Sequence, residues 1–376
     1  MAKTIKYNEE QLTKIKNSIE IINNKKSKFL FSVPQIETPS ALIYEIYFHA
    51  HVIEKMGYEV NILTDDDFSV PDYIEDELTN KTHKKMNKAK LSVGPHDVMV
   101  IPEIHTNVME VTKDLPCKRI MLLQSIDYLF NALIPGSTPN DFGITEILTT
   151  SETLKDLINL YFDTQKFNIQ YYDLGIPDYF NDDKRPKKPI VSIVGRNPNE
   201  ISKFVKLFYT KYPQYRWITF DAMLSNSKPP RPLIRTDFAE KLKSNFAGVW
   251  IDRISSFGTF PLECIKGGVI PICLKPDITP DYLIDKEKSI DGNFYAKENL
   301  GIWTKDYYDL PLLLNDVLTR FLDDSIPNEI YETMKKESLN YTQENSSKQL
   351  EEIYGGYLNE RKNQLEELIK NNKMEE

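Results

Sequence analysis

Short apolar runs bounded by loops recur along the chain, and between them apolar residues return every three or four positions. KFLFSV, from Lys28, has the continuous hydrophobicity of a strand buried on both faces of a parallel sheet. From Ala41 to Met56, Leu42, Ile46, Ala50 and Ile53 share one helical face. Thr38 and Pro39 read as that helix's N-cap and first residue, and Gly57 as its stop before the strand YEVNILT. Residues 67–95 are polar and read as an excursion from the sheet. Strand patterns return at HDVMVIPEI, CKRIMLLQS and FNIQYYDLGIP, and ITEILTTSETLKDLINLYF reads as a strand followed by a Ser151-capped helix. PDYFNDDKRPKKP, rich in proline and charge, has linker character.

The alternation then restarts. PIVSIVGR predicts a strand, EISKFVKLFYTKY a helix and YRWITFD a strand. FAGVWIDR predicts another strand, FPLECIKG a short helix and VIPICL a buried strand, and the chain is helical from Pro311 onward. Two separate stretches of alternating strands and helices predict an α/β protein with two doubly wound domains facing a cleft.

A length of 376 residues agrees with two domains, and 40% hydrophobic with 27% charged residues excludes a disordered chain. No stretch approaches the ~18 uninterrupted apolar residues of a membrane span, and the N-terminus MAKTIKYNEEQ lacks the apolar segment of a secretory signal. Cys117, Cys264 and Cys273 make neither a disulfide framework nor a zinc pattern, so a cytoplasmic home is expected. The net charge is −9, yet residues 184–243 hold fourteen Lys and Arg against four acids. A basic stretch in an acidic protein suggests an anionic ligand in the second half, with a solvated basic face as the plain alternative.

Several common signatures are missing. There is no G-x-G-x-x-G, no phosphate loop, no H-E-x-x-H and no G-x-S-x-G. The segment SSFGTFPLECIKGGVIP (Ser255–Pro271) is the informative one. Gly258 permits a tight turn, Pro261 suits a helix opening, and helix N-terminal amides form an anion site. Glu263, read as a first-turn residue, can accept hydrogen bonds from ligand hydroxyls or simply stabilise its own helix.

This segment resembles the C-terminal domain of retaining GT-B glycosyltransferases, whose signature reads E-G-F-G-x-x-x-x-E before a Gly-x-P-V strand. Phe257, Gly258, Leu262, Glu263 and Gly268 match it, with Pro271 one residue later than the signature has it, while Ser255 and Ser256 replace the first Glu and the next Gly. The resemblance implies that Glu263 binds the nucleotide ribose, with Ser255, Ser256, Phe257, Gly258 and Thr259 around the donor; a serine hydroxyl there offers no charge. VSIVGR resembles the family strand ending in Gly-Arg, which casts Arg196 and then Lys203 (Lys206 being a rival) as the metal-free neutralisers of a departing diphosphate. GYEVNILT, LTTSETLKDLI and LGIP resemble N-domain features of the family. His105, after PEI at a strand end, is a candidate catalytic residue, and Thr38, Gln124 and Asp127 are acceptor-side candidates.

The resemblance implies GT-B architecture: an N-terminal acceptor domain (1–178), a C-terminal nucleotide-sugar domain (188–340), and C-terminal helices (341–376) packing back on the first domain. The implied activity is transfer of a hexose-like sugar from a nucleotide sugar to a glycan or other acceptor with retention, the leaving phosphate helping to deprotonate the acceptor. No cofactor or metal is implied, the nucleotide sugar being a co-substrate. The alternatives are a degenerate GT-B protein that binds nucleotide or glycan without turnover, prompted by Ser255, and a glycosyltransferase acting on modified DNA bases.

Overall fold

The computed structural model describes residues 7–35, 39–64, 70–86, 91–163, 165–222, 234–253, 257–284 and 300–373. In the first lobe the elements run α1 (Glu9–Asn23), β1 (Lys28–Ser32), α2 (Ala41–Lys55), β2 (Glu59–Thr64), α3 (Asp76–Thr79), β3 (Thr82–Lys85), β4 (Val98–Pro102), α4 (Thr106–Val111), β5 (Lys118–Leu123), α5 (Ile126–Ala132), β6 (Glu146–Thr149), α6 (Glu152–Tyr161) and β7 (Asn168–Tyr171). The second lobe runs β8 (Lys188–Gly195), α7 (Pro198–Lys211), β9 (Thr219–Ala222), α8 (Arg235–Lys243), β10 (Asn245–Ile251), α9 (Thr259–Lys266), β11 (Ile270–Leu274), β12 (Ile302–Thr304), α10 (Leu310–Leu322) and α11 (Asn328–Ser338), and α12 (Gln343–Lys373) follows it.

Each lobe has one all-parallel sheet, ordered β3-β2-β1-β4-β5-β6-β7 and β12-β11-β10-β8-β9. Both orders reverse once, at β1/β4 and at β8/β10, which opens a crevice at the carboxyl ends of those strands. Every residue of β4, β10 and β11 is buried, as expected of strands covered on both faces.

The polar excursion is more ordered than its sequence suggests, since β3 adds a parallel edge strand beside β2. Its THKK sequence exposes most of its side chains, so it carries no hydrophobic signal. The N-cap of α2 is Ser40, and Pro39 stands outside the helix; Thr38 lies outside the described residues. Ser151 caps α6 as expected, accepting a hydrogen bond from the Leu154 amide at 3.2 Å.

The chain passes between the lobes twice, side by side: Ile176 donates its amide hydrogen bond to the Tyr341 carbonyl at 3.0 Å and pairs with Thr342. α12 then lies along α1 and α2 and sends Leu350, Tyr354, Tyr357, Leu358 and Leu365 into the core of the first lobe. Among the described residues, no helix is long and apolar enough to cross a membrane.

Candidate functional site

Arg196 stands at the point where the second sheet reverses its order. Gly195 ends β8, and a Cβ there would meet the Ile251 carbonyl of β10 at 2.7 Å, so glycine lets the two strands approach closely. The Arg196 Nε donates to Asp252, the first residue after β10, at 2.8 Å. Its Nη1 donates to the Tyr128 hydroxyl at 2.7 Å, and the guanidinium lies 5.0 Å from the centre of that ring. Tyr128 belongs to α5, beyond the carboxyl end of β5, so this contact spans the cleft. Burial raises the Asp127 carboxyl above its ordinary range, with Arg196 opposing and Asp277 and Asp252 reinforcing the shift.

Beyond the carboxyl end of β10, the strand paired with β8, the chain turns at Gly258 into α9. Gly258 takes a left-handed conformation (φ 67°), and a Cβ would meet the Trp250 ring at 2.6 Å. The Tyr282 hydroxyl donates to the Gly258 carbonyl at 2.8 Å, and Phe257 packs against the Tyr282 ring. The first-turn amides of α9 have no intrahelical acceptors and carry the positive end of the helix dipole. Thr259 opens the helix half-buried, whereas Ser255 and Ser256 lie outside the described residues.

Glu263 is the fifth residue of α9, in its second turn rather than its first. It is buried, and its Oε1 accepts from Arg235 Nη2 at 2.6 Å. Arg235 opens α8, and its guanidinium sits 3.8 Å from the centre of the Tyr44 ring. Tyr44 lies in the first turn of α2, which follows the carboxyl end of β1, so Glu263 and Arg235 face the first lobe across the cleft. The Arg235 amide also donates to the Tyr73 carbonyl at 3.2 Å. Burial raises the Glu263 carboxyl above the usual range and Arg235 opposes it. Behind Tyr44, Glu45 accepts from the Tyr172 hydroxyl at 3.1 Å, and burial pushes its pKa up to about 7 against the pull of Arg235.

Lys203 keeps different company. From the exposed flank of α7 its Nζ donates to the Tyr308 hydroxyl at 2.7 Å and stacks over the Tyr307 and Tyr308 rings. Among the described residues it shares no partner with Arg196 or Glu263, so Arg196 with Asp252, Glu263 with Arg235, and Lys203 with Tyr308 stand as separate groups.

On the first lobe, His105 Nδ1 shares a 2.6 Å hydrogen bond with Ser32 Oγ. Ser32 ends β1 and His105 follows β4, so this pair marks the reversal point of the first sheet. Gln124 donates through Nε2 to the Leu42 carbonyl at 3.1 Å, and its amide donates to Glu103 at 3.2 Å. Glu103, which sequence reasoning passed over, is fully buried beneath them. Its Oε1 also accepts from the Ser125 amide at 2.9 Å, while Oε2 has no partner among the described residues. Burial pushes its pKa up to about 8, opposed by amide hydrogen bonds including those from Ser125 and Gln124. A carboxylate directly after the wholly apolar VMVIP was the signal available for it. Arg235 was merely one charge of the basic stretch.

No protein-family model matches the sequence, and no curated protein sequence does. Solved structures do match in shape. A glycosyltransferase from Rickettsia africae ESF-5 aligns over 89% of this chain and 99% of its own, with a TM-score of 0.60 at 14% identity. A sucrose-phosphate synthase from Thermosynechococcus elongatus aligns over 88% of this chain and 98% of its own, with a TM-score of 0.59 at 9% identity. The pneumococcal O-GlcNAc transferase, solved with UDP and GlcNAc, aligns over 89% and 99%, with a TM-score of 0.57 at 9% identity. Two parallel sheets with flanking helices, each reversing its strand order at the cleft, make this chain an α/β protein with the fold of the GT-B glycosyltransferases.

Proposed function

We propose that the protein is a glycosyltransferase that moves a sugar from a nucleotide sugar to a hydroxyl-bearing acceptor such as a glycan, with retention of anomeric configuration. One observation carries the reading: a guanidinium, Arg196, stands at the reversal point of the second sheet, at the same carboxyl end from which β10 leads through the Gly258 turn to the amino end of α9, in a chain whose fold matches solved glycosyltransferases. Arginine offers a planar fork of donors to a pyrophosphate, and the α9 amides add partial positive charge. Together they would neutralise a leaving nucleoside diphosphate, the kind of electrostatic support that dominates many transfer reactions. The first lobe would present the acceptor at the Ser32–His105 pair and Gln124, with Asp127 at the cleft. In the retaining scheme the leaving phosphate takes the acceptor's proton on the same face of the sugar. Lys203, one step removed beside Tyr308, would act on the outer side of the phosphates.

The test is incubation with UDP-, GDP- and ADP-sugars, scoring free nucleoside diphosphate and the anomeric configuration of any product. Arg196→Ala should lower turnover by about 10²–10³-fold, the usual loss when a donor to developing negative charge is removed. Turnover unaffected by this change would refute the assignment. Binding without turnover of any donor would favour a second reading, a nucleotide-binding GT-B protein. That reading draws on the ion pairs that already engage Arg196 and Glu263.

A further inference from the structure

Glu263 and Arg235 form a buried ion pair with an asymmetry that bears on ligand choice. Only Oε1 of the carboxylate is engaged by the arginine; Oε2 has no partner among the described residues. The arginine is confined, with its guanidinium 3.8 Å from the Tyr44 ring centre on one lobe and 5.7 Å from Phe180. Its backbone is fixed as well, through the amide bond to the Tyr73 carbonyl. A guanidinium stacked and anchored in this way cannot swing to bond both oxygens. On α9, Glu263 lies four residues after Thr259, hence on the same face and about 6 Å along the axis from the first amides. An anion held at those amides would therefore have a fixed, half-occupied carboxylate one helical turn away.

We infer that Arg235 is a positioning residue for the donor's pentose: by holding Oε1 it presents Oε2 to the ribose hydroxyls and makes the site prefer ribo- over deoxyribonucleotides. The inference rests on the nucleotide-sugar reading above, with the diphosphate at α9 and the pentose at Glu263. It also assigns the first lobe a part in donor selection, because Tyr44 is the platform that pins Arg235. The preference should be at least about tenfold, since a site that accepts a hydrogen bond from a substrate hydroxyl discriminates against the analogue lacking it.

Isothermal titration with UDP, GDP and ADP, and with the 2′,3′-dideoxy form of whichever binds, tests this on the full chain. The wild type should bind the ribonucleotide at least about tenfold more tightly. Arg235→Gln should bring that ratio close to one while leaving inorganic pyrophosphate binding unchanged. Tyr44→Leu, which removes the platform and keeps the ion pair, should reduce the ratio partway and serves if Arg235→Gln fails to fold. A wild type that binds nucleotide without ribose preference, or variants that keep the full preference, would overturn the role of Arg235. Failure of the wild type to bind any of the three nucleotides would instead overturn the sugar-transfer reading beneath it.

Discussion

At Gly258 the backbone turns into α9 through a left-handed conformation, pressed against the Trp250 ring. Any side chain meets both a strained φ and an aromatic wall. Gly258→Ala should cost about 1–3 kcal/mol, measured as a lower midpoint of thermal unfolding, and should abolish nucleotide-induced stabilisation because the α9 amides shift with the turn. An unchanged midpoint would show that the turn is not formed as described. Gly258, Glu263 and Arg196 were legible in the sequence because local rules mark them: a glycine before a helix, a carboxylate on it, a cation after a buried strand. Their partners were not legible. Tyr128 reaches Arg196 across 68 positions and Tyr44 reaches Arg235 across the whole first lobe, so neither pairing leaves a spacing to read. Glu103 was hidden for a related reason, since its ligands are backbone amides and any sequence supplies those.

At the scale of elements, the strand-helix alternation declared both sheets because their central strands are unbroken apolar runs. β3 escaped notice because it sits on an edge and pairs through backbone alone. α1, whose sequence is largely polar, likewise gave no strong signal; it buries Ile15 and Ile22 against the rest of the lobe. The last helix matters more to the first lobe than its distance in sequence suggests. The Tyr354 hydroxyl shares a 2.8 Å hydrogen bond with His49 Nδ1 of α2 in a fully buried setting. Leu350→Ala should destabilise the protein by about 2–5 kcal/mol as a core cavity opens. Urea unfolding followed by a first-lobe probe should register that loss, and a loss confined to second-lobe probes would contradict the packing of α12.

The whole molecule carries buried carboxyls whose titration shapes its stability. Burial holds the Glu103 carboxyl near pKa 8 in the folded protein, against an ordinary 4.5. A group with a raised folded pKa contributes its full stability below the unfolded pKa and loses it as pH rises through the folded one. Glu45, raised to about 7, behaves alike, whereas His49, buried and lowered to about 3, acts in the opposite sense below pH 6.5. Comparing wild type with Glu103→Gln isolates the first term. The wild type should lose ground to the variant between pH 5 and pH 9, by on the order of a few kcal/mol. A constant difference across that range would mean that Glu103 is not held neutral. The neutral state also suits its setting, because an ionised carboxylate with one unpartnered buried oxygen would be costly at the floor of the cleft.

The return of α12 also bears on synthesis. Leu350, Tyr354, Tyr357, Leu358 and Leu365 complete a core whose other members are encoded in roughly the first half of the chain. As the polypeptide leaves the ribosome from its amino end, that half must wait, with a greasy channel open, until the final segment emerges. A fragment ending at the first crossover should therefore aggregate, and be rescued when the terminal segment is supplied as a separate peptide.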